Sequence, residues 1–262
     1  MKKARATLRL LRDVLGDSSY DRANAVLREA ARPLSEVRDG KALINALDRL
    51  MERYGDPARA LPVDGLKSAM RRGQTEARRR ILKRRDGLSA QRAALRECCE
   101  RAVRWRVGRH GWSVIGSGFK RTYAKGRKAL ATAQSDRSME NLHEWRKQTK
   151  YLWHQLQVMQ PLWPGLIGEL ADQVHKLSDY LGDDHDLAVL RETAVGLEKA
   201  LPSVAARNAV IALIDRSRNQ LQDKAVLLGR RIYEEKPKAF AARFGKYWRE
   251  WQSQPVIRQS RP

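Results

Sequence analysis

The sequence predicts an all-α protein built as two antiparallel helical bundles of similar topology, packed around a shared pseudo-symmetric surface. Three observations predict it. Nearly every segment carries apolar residues at helical spacing, and none shows the sustained apolar-polar alternation between turn residues that a half-buried strand needs. Gly, Pro and Asp-Ser punctuation cuts the chain at short intervals, and short connections leave neighbouring helices antiparallel. A stretch near the start also superimposes on one in the middle at a constant offset, which is the mark of an internal repeat.

Taken in order, helices are expected over residues 2–15, 18–33, 38–54, 64–86, 88–106, 118–134, 137–160, 165–181, 184–200, 203–233 and 237–252. Their stops are chemically legible. Gly16-Asp17-Ser18 closes the first, Gly55-Asp56-Pro57 and Leu61-Pro62 separate the third from the fourth, and Gly111 and Gly116-Ser117-Gly118 precede the sixth. Pro161 to Gly165, Leu201-Pro202-Ser203 and Pro237 mark the later breaks, and the chain after about Ser253 reads as frayed. The glycine-rich stretch Gly108 to Gly118 divides a first bundle, residues 1–110, from a second, residues 111–262.

The repeat supports that division. Residues 2–12 align with 143–153, so that Arg5 matches Arg146, Arg9 matches Lys150 and Arg12 falls opposite Trp153. Downstream, Leu34-Ser35-Glu36 before Arg38-Asp39 and Leu43 parallels Leu177-Ser178-Asp179 before His185-Asp186 and Leu190.

At 262 residues the chain can bury a real core. Its formal charge of +23, from 53 Lys and Arg against 30 Asp and Glu, exceeds what solubility asks for. Such an excess points to a polyanionic partner: nucleic acid, an anionic membrane surface or a phosphate polymer. Cys98 and Cys99 are adjacent, which suits neither a disulfide framework nor a zinc site and fits a reducing compartment. No apolar run is long enough for a signal peptide or a membrane span, so a cytoplasmic, non-spanning protein is expected.

Chemistry concentrates in the repeated helix. His143, Arg146, Lys147 and Lys150 lie three or four residues apart and share one face, with His154 one turn further; Arg5, Arg9 and Arg12 form the matching stripe. Cations so close repel each other, and a bound anion relieves the repulsion. The competing reading is a solvated face, which recurrence in both halves and the scarcity of compensating acids weaken. His143 on a helix face is ordinarily structural, but in a basic groove it can donate to phosphate. Lys67 to Arg109 holds fifteen basic residues against four acidic ones, wrapping around a helix, with Arg78-Arg79-Arg80 and Lys83-Arg84-Arg85 densest.

Other motifs carry less. Asp183-Asp184-His185-Asp186 has the composition of a metal site, but helix capping explains it at a helix start. Gly116 to Arg121 lacks the spacing and the ending of a phosphate-binding loop. What survives is that Lys120, Arg121, Tyr123, Arg127 and Lys128 stand near a helix N-terminus, whose amides favour anions. The seven tryptophans are expected to fill core rather than stack on bases.

His143 to Trp153, with Gly118-Phe119-Lys120-Arg121-Thr122-Tyr123 before it and the duplicated Leu-Ser to Asp to Leu pattern, resembles the CHAD family, the conserved histidine α-helical domain, over nearly the whole chain. The resemblance implies two antiparallel helical bundles related by pseudo-two-fold symmetry, enclosing a basic groove that binds inorganic polyphosphate, and association with polyphosphate granules. Some family members are fused to a triphosphate-hydrolysing domain, whose Glu-x-Glu-x-Lys signature is missing here, so catalysis is not carried over. The family's first-repeat histidine falls at Lys2 and the following lysine at Ala6, and the chain starts inside that first basic helix; a diverged or truncated first copy is expected.

The expected function is therefore polyphosphate binding without catalysis, metal or cofactor, through Arg5, Arg9, Arg12, Arg38, Lys120, Arg121, Arg127, His143, Arg146, Lys147 and Lys150. Two rival readings stand beside it. One is nucleic-acid binding, which shares the charge argument; the other is a metal-dependent phosphohydrolase on His143, Asp183, His185 and Asp186.

Overall fold

The computed structural model describes residues 1–56, 61–82, 88–197 and 200–254, less the side chains of residues 34, 36, 37, 81 and 82. Lys83, Arg84 and Arg85, Pro57, the chain beyond Gln254, and the side chains of Leu34 and Glu36 thus lie outside the described residues. What is described is all-α: α1 (Lys2–Leu10), α2 (Arg12–Leu15), α3 (Asp17–Tyr54), α4 (Asp64–Leu82), α5 (Ser89–Val103), α6 (Trp112–Ser135), α7 (Met139–Met159), a 3-10 turn (Gln160–Leu162), α8 (Pro164–Gly196), α9 (Val204–Ile232) and α10 (Pro237–Ser253).

Two expected breaks are absent, each for a packing reason. Residues 18–54 form one helix that runs through Pro33, although an interior proline costs about 3 kcal/mol. Tyr20 and Ala23 are buried in one apolar cluster on the near side, and Ile44, Leu47 and Leu50 in another beyond it. Several such side chains at about 1.5–3 kcal/mol each outweigh the proline. The two helices expected over 165–181 and 184–200 are likewise one, because Leu177 and Leu181 before Gly182 and Leu187 and Leu190 after it are all buried.

α6 begins at Trp112 rather than residue 118, with Gly116 and Gly118 inside it. The glycines serve packing. A Cβ on Gly118 would stand 2.4 Å from the Leu10 carbonyl oxygen and 2.6 Å from that of Arg9, so only glycine lets α1 lie on α6.

The largest apolar cluster joins Leu10 to Phe119, Tyr123, Trp145, Leu152, Leu177 and Phe244. A second packs Ile44, Leu47, Leu66 and Met70 against Leu187, Leu190, Val210 and Ile214, and a third holds Leu8, Tyr20, Ala23 and Cys98. Trp145 is fully buried, whereas Trp163 and Trp251 stand in solvent, against the expectation that they fill core. Among the described residues no helix is long and apolar enough to cross a membrane.

Candidate functional site

α7 is capped by Ser138, whose hydroxyl accepts from the Asn141 amide. Its inner face, Leu142, Trp145, Thr149, Leu152 and Leu156, is buried, which turns His143, Arg146, Lys147 and Lys150 away from that core. Gln155 fixes what lies opposite: its buried amide donates to the Ala6 carbonyl at 3.0 Å and to Thr122 Oγ1 at 3.1 Å, clamping α1 against α6 and α7. Lys2 and Arg5 on α1 thereby join Arg38 and Asp39 of α3, His185 and Asp186 of α8, and the α7 cations around one cleft of about 640 Å³.

The electrostatics of this cleft are those of cations gathered faster than carboxylates. Arg5 donates to the neutral Asn24 at 2.9 Å, and Arg38 pairs with Asp39 at 2.9 Å. Arg146 has one Nε buried with no hydrogen-bond partner among the described residues, and a Cβ on Gly182 would lie 3.5 Å from its Nη2. Burial, then Arg146, Lys2 and Arg38, pulls the Lys150 ammonium down to about 7. Burial, then Arg38 and Arg146, lowers Lys2 as well. His143 is lowered by burial, Arg146 and Lys147; His185, whose ring lies 5.1 Å from that of His143, by burial, Arg146 and His143.

A second cleft of about 330 Å³ adjoins the first, with Lys147 on the rim of both. It gathers Arg9, Arg12, Arg121 and Lys125 from α1, α2 and α6. Here the cations are tethered. Arg9 donates to the Tyr20 and Tyr151 hydroxyls and stacks 4.0 Å over the Tyr151 ring, Arg12 pairs with Asp17 at 2.9 Å, Arg121 with Asp13 at 2.6 Å, and Lys147 with Glu144. Burial and the neighbouring Arg9, Arg12 and Arg121 lower Lys125.

Nine of the eleven expected residues line these two clefts: Arg5, Arg38, His143, Arg146 and Lys150 the first, Arg9, Arg12 and Arg121 the second, and Lys147 both. Lys120 and Arg127 are exposed on α6 and line neither. The expectation that they stand near a helix N-terminus is corrected, since α6 begins more than two turns before Lys120. Missed were Lys125, one turn beyond Arg121 on the same face, and Lys2 as a positive group in its own right.

The capping explanation of Asp183 to Asp186 is also corrected. These residues sit in the interior of α8, where Asp183 pairs with Arg49 at 3.0 Å and the buried Asp184 accepts from Arg218 at 3.1 Å and Gln222 at 2.8 Å. His185 and Asp186 are left facing the first cleft. Among the described residues no three His, Cys, Asp or Glu side chains are grouped to hold a metal ion.

Cleft-lining positions are matched across the repeat. Lys2 and Arg5 stand where the second copy has His143 and Arg146, and Arg38, Asp39 and Ala42 where it has His185, Asp186 and Val189. Comparison with known proteins adds one match: a family model, the CHAD domain, aligns with residues 1–195. No curated protein and no solved structure matches the chain.

Proposed function

Since the chain belongs to the CHAD domain family, we propose that it binds inorganic polyphosphate in the cleft between α1, α3, α7 and α8, without turning the polymer over. The observation that carries this reading is the convergence of Lys2, Arg5, Arg38, His143, Arg146 and Lys150 from three helices on one cleft whose lining, among the described residues, includes two carboxylates, Asp39 and Asp186. A polyphosphate chain presents nothing but phosphoryl oxygens, so point-charge lysines and forked arginines are the donors it needs. The adjoining cleft around Arg9, Arg12, Arg121 and Lys125 continues the path at Lys147. In this reading each copy of the repeat supplies one bank of the groove, and the protein resides at polyphosphate granules.

The Arg-rich α4 favours a second reading, diffuse nucleic-acid binding. Arg71, Arg72, Arg78 and Arg79 are exposed and, at 3.6 residues per turn, fall within about a third of the helix circumference, opposite the buried Leu66, Met70 and Ala77. Competition separates the two. Long-chain polyphosphate should displace single-stranded and duplex nucleic acid at matched phosphate concentration, with affinity falling steeply as salt rises because condensed counterions are released. Nucleic acid winning that competition would overturn the polyphosphate reading. Phosphate release dependent on a divalent ion and abolished by His185→Ala would overturn its non-catalytic part.

A further inference from the structure

We infer that polyphosphate binding by this protein is coupled to proton uptake, with Lys150 as the principal proton acceptor of the cleft. The inference rests on the polyphosphate reading and extends it to regulation.

The geometry of the first cleft is the ground for it. Lys150 lines this cleft together with Lys2, Arg38 and Arg146, the cations that act on it most strongly. α1 faces it with Lys2 and Arg5, and α3 with Arg38 and Asp39. Its own helix adds His143, Arg146, Lys147 and His154; α8 adds His185, Asp186 and Asp179. Two of these three carboxylates are already paired: Asp39 with Arg38 at 2.9 Å inside the cleft, and Asp179 with His175 at 2.8 Å. A half-buried amine in such company holds its proton weakly until an anion arrives. Its pKa of about 7 in the free protein expresses the same balance.

Bound phosphoryl groups reverse the balance, because a negative charge within a few ångströms favours the protonated form. The interior phosphates of a long chain are strong acids and stay ionised through the neutral range, so the proton taken up lands on the protein. No bond of the polymer is made or broken; a buffer acid gives up a proton, and the Lys150 Nζ lone pair takes it as a new N–H bond, up to one proton per site. Lysine is the right residue for this, since an arginine at the same position would be charged at every accessible pH. His143, His154 and His185 are held below the ordinary histidine value by burial and by nearby cations, so they add uptake only on the acid side.

The consequence is a binder that tightens as pH falls through neutrality. With Lys150 half protonated near pH 7, binding there should draw about half a proton from the buffer onto this group. Affinity should then fall on the order of tenfold between about pH 6.5 and about pH 8.5.

The test is calorimetric titration of the intact protein with long-chain polyphosphate at about pH 7, in two buffers of different ionisation enthalpy. The difference in apparent heat gives the protons taken up, and the titration is repeated across the pH range. Lys150→Arg fixes the charge, so its slope of affinity against pH should flatten above about pH 6.5, whatever its absolute affinity. Lys150→Met, which keeps the stem and removes the titrating group, should flatten the slope as well. Tight binding with no buffer-dependent heat would overturn the proton linkage and leave the binding reading standing. Uptake unchanged in both variants would overturn the assignment to Lys150. No binding by the unaltered protein at any pH would overturn the polyphosphate reading itself.

Discussion

Two strongly basic regions of this molecule differ in what surrounds their charge. The stretch Lys67 to Arg109 holds fifteen of the chain's 53 Lys and Arg residues, yet on α4 its Arg71, Arg72, Arg78 and Arg79 point into solvent from a single helix. The cleft on α7 has fewer cations, but they arrive from α1, α3 and α7 in a partly buried setting, where burial first and then the neighbouring cations pull Lys150 down to about 7. Water screens the first set; the second set is partly desolvated and mutually repelling, which a bound anion can relieve. Charge count points to a class of partner, and convergence points to a candidate site.

The largest expected contrast comes from single arginines in the two regions. Arg146→Ala should weaken polyphosphate binding by about a hundredfold, roughly 2.7 kcal/mol, in keeping with loss of a charge-assisted donor in a partly desolvated site. The double change Arg78→Ala with Arg79→Ala should cost less than about threefold at the same salt. Equal losses in calorimetric titrations would erase the distinction between clustered and dispersed charge.

Next in size is an effect on the scaffold. Gly118→Val would place a side chain into the Leu10 and Arg9 carbonyls, costing about 2–4 kcal/mol of stability and loosening α1. Chemical denaturation should register the loss, and polyphosphate affinity should drop with it because Lys2, Arg5 and Arg9 ride on that helix. A variant of unchanged stability would show that α1 can sit on α6 another way.

A smaller effect carries the opposite sign for stability and binding. The Lys150 pKa is depressed in the folded protein to about 7, against about 10.4 for an unperturbed lysine. Between those values the unfolded chain holds a proton that the folded one lacks, so this group's contribution to stability improves as pH rises from about 7 to about 10.4 and is poorest below about 7. Lys150→Met should therefore raise the Tm of the free protein by a few degrees near pH 6 while shrinking the rise produced by polyphosphate. A Tm lowered by Lys150→Met in the free protein would contradict the repulsion argument. Smallest of all, Lys120→Ala and Arg127→Ala should change affinity by less than about twofold, because neither lines a cleft.

Much of the cleft was legible in the sequence because it sits on one helix and its repeat. His143, Arg146, Lys147 and Lys150 share a face by spacing alone, and the repeat aligns Arg5 with Arg146. What spacing could not supply was which faces meet. Lys125 was passed over because nothing in its own helix distinguishes it from Arg127; the side of α6 that α1 and α2 cover makes the difference. Helix ends were misread where burial overrode local preference, at Pro33, Gly116, Gly118 and Gly182. The same overrides moved Asp183 to Asp186 from a presumed helix start to mid-helix, and with them the reason those carboxylates are there.

The account stands most directly on titration of labelled long-chain polyphosphate against the unaltered protein and a variant with Arg146, Lys147 and Lys150 all changed to alanine, with nucleic acid as competitor. Tight binding by the former, lost in the variant and poorly competed by nucleic acid, is the predicted result. Equal binding by both proteins, or preference for nucleic acid, would contradict it.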